Sequence, residues 1–305
     1  MSSPFKTPIS DPIPSAQPLP EPILDDEQKS KYESLLKLIK SWKEIPSEKG
    51  NNGPLTEDEI FWLTRECLLR FLRATKWNYL ESEKRLLKTL SWRRDFGVDK
   101  IEVDSMSVEN ETGKMVLFGY DNYARPCLYL FPKLQNTATS HQQTELVVYM
   151  IERGIDLMCP GQETLTIVVD FNIDRKKLPG IGQAKSILDI IQNHYPERLG
   201  MGFVLNAPWA VTAFFKVITP FMDPFTRNKL NFNGDLINFV PREQLFKQFT
   251  GDLDFQYERK IYLPSLIKLC EEKKQRCRER WIHAGKLLGE SETYLKGGNK
   301  PSVGQ

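Results

Sequence analysis

Three polar residues set in an apolar stretch carry the chemistry this sequence could do. Between His194 and Lys229 a carboxylate (Glu197), a hydroxyl (Thr226) and an ammonium (Lys229) bracket a segment rich in Phe, Trp and Met. Brought to one point, such groups would hydrogen-bond a polyhydroxylated or phosphorylated group at the rim of an apolar cavity, which is the composition of a small-ligand site. Thr226, near the start of a helical turn, could also help present backbone N–H groups to a phosphate. The same residues equally fit a surface Glu–Lys pair, worth well under about 1 kcal/mol. Pattern alone leaves both readings open.

Catalytic patterns are weak. No G-x-S-x-G elbow is present, and His194 has no Ser or Cys partner implied by pattern. It reads as a cation at a helix C-terminus, where the dipole favours it. Lys177-Leu-Pro-Gly180-Ile-Gly182-Gln-Ala-Lys185-Ser186 fails the phosphate-loop spacing and reads as a glycine-rich turn into a helix. Asp170, at the end of an apolar run, reads as a cap for the following turn. Cys270 and Cys277 fall two turns apart on one helix face, as packing residues do. With 3 histidines and 5 scattered cysteines there is no zinc ligand set, and a reducing compartment is expected.

The elements that must hold the polar trio alternate in type. Met201 to Leu205 is a short buried strand. Asn206-Ala-Pro208-Trp209 turns into a helix carrying Val211, Phe214, Phe215 and Ile218, Pro220 interrupts it, and Asp223 is placed to cap a second short helical piece. Phe221, Met222 and Phe225 sit in this proline-bounded segment with no helical stripe to bury them all. They read either as a packed hinge or as a mobile apolar flap that meets a lipid surface.

Upstream, residues 1–24 hold seven prolines and read as a disordered leader. Residues 25–100 read as a small helical lobe, with a first helix over Asp25–Trp42, a capping box at Thr56 and Glu59, and further helices through Arg73 and Arg94. From 103 to 256 strands alternate with helices: strands at Met115–Phe118, Cys127–Phe131 and Leu165–Phe171, and helices over Ser140–Met158 and Ile181–Gln192. This is an α/β layer with a largely parallel sheet. Leu236–Phe239 is expected as an edge strand and Pro241–Phe249 as a helix. Residues 257–305 should be a long charged helix, Arg259–Leu288, and a frayed tail from Gly297.

Composition bounds the rest. The 305 residues carry 42 basic and 40 acidic side chains, a net charge of only +2 and unlike a dedicated nucleic-acid binder. No apolar run reaches the roughly 18 residues of a membrane span, and the N-terminus has no signal-peptide core.

Taken together, the segments resemble the CRAL-TRIO lipid-binding family, and within it the fungal phosphatidylinositol-transfer proteins of the branch linked to pleiotropic drug resistance and sterol handling. The resemblance runs in order through Cys67-Leu-Leu-Arg-Phe-Leu-Arg-Ala-Thr-Lys-Trp77, Trp92-Arg-Arg-Asp-Phe-Gly97, Ala124-Arg-Pro126, Tyr195-Pro-Glu-Arg198, Asn206-Ala-Pro208 and Pro220-Phe-Met-Asp-Pro-Phe-Thr-Arg-Asn-Lys229. It implies a helical N-terminal lobe and an α/β lobe enclosing one lipid under a helical gate that opens at a membrane. The headgroup residues it implies are Glu197, Thr226, Lys229 and Lys76, with Thr75 departing from the Arg of the best-known members. At the second headgroup of phosphatidylcholine carriers this chain has Leu117, Leu128, Leu165 and Ile167. A choline phosphate there would leave polar groups unpaired at about 1–3 kcal/mol each, so the resemblance implies an apolar second ligand, a sterol.

The resemblance therefore implies a non-enzymatic phosphatidylinositol-transfer protein with no cofactor. It would be cytoplasmic and visit membranes of the endoplasmic reticulum, lipid droplets or cell periphery. The alternatives are a sensor that presents its lipid to a phosphatidylinositol kinase, a sterol carrier, and a lipid hydrolase.

Overall fold

Capping chemistry opens the N-terminal helices. Asp25 accepts from the Gln28 N–H while the Gln28 side chain accepts from the Asp25 N–H, starting α1 (Asp26–Lys40). Thr56 and Glu59 do the same for α2 (Glu57–Trp62). Each box satisfies two donors that the helix itself cannot. Thr64 caps α3 (Arg65–Ala74), and Asn78 caps α4 (Tyr79–Phe96), which ends on Gly97 in left-handed backbone. Together they enclose a core of their own, including Leu35, Ile39, Leu68, Phe71, Leu86 and Leu90. The computed structural model describes residues 4–172, 181–222 and 224–305.

Beyond the helical lobe lies a sheet whose described strands run in chain order: β1 (Met115–Tyr120), β2 (Pro126–Leu130), β3 (Leu165–Asp170), β4 (Leu199–Leu205) and β5 (Leu230–Phe232). β1 and β2 form a hairpin whose turn is set by Asp121, which accepts from the N–H groups of Tyr123 and Arg125. The other pairings are parallel. They are bridged by α5 (His141–Leu157), α6 (Ile181–His194), and the pair α7 (Trp209–Ile218) and α8 (Pro224–Asn228). The register places Leu117, Leu128, Ile167, Gly202 and Leu230 side by side on one face, because paired residues share a face. The opposite face is sealed by rings: Phe118 and Tyr129 against Phe246 at 4.5 and 4.6 Å, and Phe203 against Phe239 at 5.0 Å. The site lies on the first face.

The long helix α9 (Arg259–His283) carries Pro264 near its start and packs on α5; Tyr262 caps the sheet edge, its hydroxyl accepting from the Leu117 N–H and donating to the Leu117 carbonyl. A short α10 (Glu292–Leu295) follows.

Four sequence expectations are corrected. The proline-rich leader is not a free tail: Phe5 pairs with the 254–256 segment through two backbone hydrogen bonds, Tyr120 donates to the Ser10 carbonyl, and Glu21 bridges Arg65 and Lys300. Leu236–Asn238 is a 3-10 turn rather than an edge strand; β5 takes the edge because Gly202, with no side chain, leaves room for Leu230. Pro241–Phe249 is not a helix but two 3-10 turns, which let Phe246 enter the ring cluster. The C-terminal residues are held, Ser302 being buried and donating to Glu290.

Candidate functional site

A cavity of about 1120 Å³ opens over β3, β4 and β5, and its wall includes Lys76, Glu197, Thr226 and Lys229 together. The four residues come from three separate parts of the chain, so the fold brings together what sequence order keeps apart. The apolar floor is made by Ile167 and Val169 of β3, Val204 of β4 and Leu230 of β5, with Phe215 and Met222 from the α7–α8 segment. That volume exceeds the roughly 300–1,000 Å³ of ordinary small-molecule pockets, so the space suits a ligand with a long apolar part and one polar end.

The Tyr195–Arg198 turn shows why Glu197 points where it does. Tyr195 is buried and donates its hydroxyl to Glu152 at 2.7 Å, and Glu152 is also held by Arg93 at 2.7 Å. Arg198 is buried and donates to the Glu163 carbonyl at 2.9 Å. With its neighbours thus anchored inward, Glu197 takes left-handed backbone, φ +60°. Such backbone is uncommon for a residue with a Cβ and marks a position held by its surroundings. Among the described residues no hydrogen bond engages the Glu197 carboxylate, which lines the cavity.

Lys229 sits at the start of β5's strand pairing. Its ammonium donates to the Leu199 carbonyl at 2.7 Å, and its own carbonyl accepts from the Gly202 N–H. One of three ammonium donors is therefore used in fixing the side chain. Thr226 is half-buried in the wall. Its helix α8 has five residues, too short to sum a dipole for a phosphate, so its contribution is the hydroxyl rather than a helix terminus. Lys76 follows the end of α3 in left-handed backbone and is exposed. Thr75 turns away, its hydroxyl donating to the Phe71 carbonyl and pairing with Ser82.

Sequence reasoning missed a further charged group. The carboxylate Glu81 and the cations Lys84, Arg85 and Lys88 of α4 also line the cavity. Their i, i+3, i+4, i+7 spacing was the available signal, since it puts them on one helix face. Arg85 bonds the Gln192 and Asn193 carbonyls at the end of α6.

His194 ends α6 but not as a cation. It is buried, stacked on Trp92 at 4.1 Å and 3°, with Nδ1 3.2 Å from the Thr89 hydroxyl. Burial, and then the positive fields of Lys88, Arg85 and Arg93, push its pKa down to about 4. A histidine depressed on folding leaves stability whole above its unfolded value of 6.5 and erodes it as pH falls toward 4. Each tenfold change in proton affinity is worth roughly 1.4 kcal/mol, so the loss reaches about 3 kcal/mol. Calorimetric melts at pH 7 and pH 4.5 should therefore show a drop that His194→Phe largely removes; an equal drop in that variant would assign the acid sensitivity elsewhere.

Asp170 caps its turn as expected, accepting from the Asn172 N–H and from Asn206. Of the second-ligand positions, Ile167 lines the cavity. Leu117, Leu128 and Leu165 do not: they are buried under α5, where a Cβ on Gly154 would lie 2.8 Å from Leu165 and 3.3 Å from Leu117. Leu117 and Leu128 are on the cavity face of the sheet but at the end a helix already covers. Met222 lines the cavity. The side chains of Phe221 and Phe225, the Asp223 cap and the 177–180 part of the glycine-rich turn lie outside the described residues. On the outer surface of α7, Trp209 and Val217 are 70% and 51% exposed. Among the described residues no group of His, Cys, Asp and Glu could hold a metal ion, and no helix is long and apolar enough to cross a membrane.

Comparison with known proteins converges on one family. The CRAL/TRIO domain matches residues 110–251 and the CRAL/TRIO, N-terminal domain matches 31–88. The chain is 48% identical over 280 residues to a CRAL-TRIO domain-containing protein of Schizosaccharomyces pombe, covering 91% of this chain but 28% of that one. It is 38% identical over 302 residues to the phosphatidylinositol transfer protein PDR17 of Saccharomyces cerevisiae, covering 92% and 86%. The crystal structure of Sfh5 superposes with a TM-score of 0.57 over 84% of this chain and 99% of the other, at 16% identity, a likeness of fold.

Proposed function

Since this chain belongs to the CRAL/TRIO family, we propose that it is a phosphatidylinositol-transfer protein that carries one lipid at a time in the cavity over β3–β5. The observation that supports it most is the meeting of Lys76, Glu197, Thr226 and Lys229 in one wall above an apolar floor. In this reading the ammonium groups of Lys229 and Lys76 take the phosphodiester, Glu197 and Thr226 take inositol hydroxyls, and the acyl chains lie along Ile167, Val169 and Val204. Charge-assisted bonds of this kind are about twice as strong as neutral ones. They give the headgroup its orientation, while the floor supplies most of the affinity.

Entry and exit would follow displacement of the α7–α8 segment, which is tied back to itself by Arg227 donating to the Thr219 carbonyl. Trp209 and Val217 would meet the membrane surface, with the protein otherwise in the cytosol. The polar wall is a recognition set, so the lipid should leave chemically unchanged. A sterol as second ligand rests on Ile167 alone among the four positions considered. Presentation of the lipid to a lipid kinase remains the competing role.

Native mass spectrometry of purified protein, with vesicle-to-vesicle transfer of labelled phosphatidylinositol, tests the reading. Wild type should carry phosphatidylinositol and transfer it intact. Lys229→Ala should lower occupancy and transfer by at least about tenfold, near 1.4 kcal/mol, with an unchanged melt. Sterol alone in the wild type, or equal occupancy in the variant, would overturn it. Occupancy without transfer would favour the presenting role.

A further inference from the structure

The N-terminal leader carries a surface that the lipid cavity does not use. Every residue from 17 to 22 is a proline or stands before one: Gln17-Pro18, Leu19-Pro20 and Glu21-Pro22. Proline fixes φ near −65°, and the residue before it is pushed into extended backbone. Such a run favours a polyproline II helix, with three residues per turn and no internal hydrogen bonds. The burial of residues 18–24 follows that period. Pro18, Glu21 and Leu24 are half-buried, while the pairs between them, Leu19-Pro20 and Pro22-Ile23, are exposed. A strand would alternate in twos. Among the described residues no backbone hydrogen bond engages 17–24, in keeping with that conformation.

One ridge of the three is docked. Pro18 lies against Gly161, where an added Cβ would meet its ring at 3.8 Å. Glu21 accepts from Arg65 at 2.5 Å and from Lys300, and Leu24 packs on the core of the helical lobe. The other two ridges are Leu19 with Pro22 and Pro20 with Ile23, the members of each standing one turn, about 9 Å, apart. They face solvent: Leu19 is 56% and Ile23 97% exposed. Two large aliphatic side chains between prolines on an ordered segment form an apolar patch of the kind that marks a contact site. From 17 to 28 the chain carries Glu21, Asp25, Asp26 and Glu27 and no Lys or Arg. None of these residues lines the lipid cavity.

We propose that residues 19–23 are a presented ligand for a partner protein, one whose domain offers a shallow, aromatic-lined groove with a basic rim. Grooves of this kind bind proline-rich segments as preformed polyproline II. A groove takes two ridges of a three-ridged helix and leaves the third outside, and here the third is the one held to this chain. A free proline-rich tail must be ordered as it binds, which lowers its affinity. The contacts of Pro18, Glu21 and Leu24 remove much of that cost before the partner arrives. The acidic residues that follow the ridge select among such grooves, because a basic rim attracts them and an acidic rim repels them.

The test is a chemical-shift titration of isotope-labelled SH3, WW and EVH1 domains, basic-rimmed grooves included, with the unlabelled full chain. A basic-rimmed domain should bind through its aromatic groove. Leu19→Ser/Ile23→Ser changes only exposed side chains, so its melt should match wild type while its affinity for that domain falls at least about tenfold. Glu21→Ala frees the docked ridge without touching the exposed ones and should weaken binding several-fold. No binding by any domain up to about 1 mM, or a Leu19→Ser/Ile23→Ser variant that binds as wild type does, overturns the inference. So does an unchanged affinity in Glu21→Ala, since docking would then present nothing. Self-association, or binding to phosphatidylserine vesicles, that the Leu19→Ser/Ile23→Ser variant abolishes would overturn it too, by giving the ridges to a second copy of the chain or to a lipid surface.

Discussion

Glu292→Gln should lower the free energy of unfolding by about 3–5 kcal/mol, the usual result of removing one partner from a buried ion network. Glu292 accepts from Arg70 at 2.6 Å and from the Thr64 hydroxyl at 2.7 Å, and Arg198 and Lys296 lie within 3.9 and 4.0 Å. Burial would raise its pKa, but the fields of Arg70, Arg198 and Lys296 overcome burial and hold the carboxyl well below its usual 4.5. Glutamine keeps the shape and the Thr64 bond but leaves three cations facing each other. A carboxylate depressed on folding contributes stability that is full above its unfolded pKa and is lost as pH falls below 4.5. The variant should therefore show its largest deficit near neutral pH and a smaller one in acid.

Lys296 supplies the control. Its buried ammonium makes no hydrogen bond to a described residue, and desolvation lowers its pKa. Lys296→Met should cost much less than Glu292→Gln, because Glu292 keeps Arg70 and the Thr64 hydroxyl, and the partner it loses stands 4.0 Å away and makes no hydrogen bond to a described residue. Urea unfolding of both variants checks the pair; a loss under about 1 kcal/mol for Glu292→Gln would mean the network is solvated. The consequence reaches the site. Arg70 and Arg73 join α3 to Glu163 ahead of β3, and Arg198 joins the same cluster to the turn that aims Glu197.

Local chemistry made much of this fold legible in the sequence. The capping box at Thr56 is a contact within four residues, so it marks a helix start without tertiary knowledge; Asp25 and Ser140, read as the first residues of their helices, are the caps just before them. The β-branched run of β3 announces a strand, but not one buried on both faces: Ile167 and Val169 are half-buried and line the cavity. What failed depended on distant partners. Phe5 is ordered by residues 254–256, and Ser302 by Glu290, and no window around either residue contains the reason. Leu236–Asn238 has the composition of a strand, but the edge position belongs to the segment whose Leu230 fits over Gly202. The site divides the same way. Glu197, Thr226 and Lys229 stand out as polar residues in an apolar stretch, while their meeting with Lys76 came only from resemblance. The α4 cations have visible spacing, but a charged helix face ordinarily faces water, so spacing alone could not place them at a cavity. His194 looked like a helix-end cation because its distance from α4 along the chain hides the burial against Trp92 and the nearby cations that lower its pKa.

Val169→Asp should lower the lipid-bound fraction by more than about a hundredfold in affinity, near 2.7 kcal/mol, while leaving the protein folded. Val169 lies in the cavity floor between Ile167 and Val204, and its neighbours across the register are Leu130 and Val204. With the cavity filled by acyl chains, a carboxylate there would be buried without a partner, which costs several kcal/mol unless it is neutralised. In the lipid-free protein the same side chain meets water in the cavity, so the fold itself loses little. Destabilisation should therefore appear as lost ligand rather than as lost structure: native mass spectrometry would show empty protein, and circular dichroism a melt close to that of lipid-free wild type. The substitution leaves Lys76, Glu197, Thr226 and Lys229 untouched, which separates the acyl floor from the headgroup wall. Undiminished lipid in Val169→Asp would mean that the acyl chains lie elsewhere, and the wall above β3–β5 would then be a headgroup site without a lipid channel beneath it.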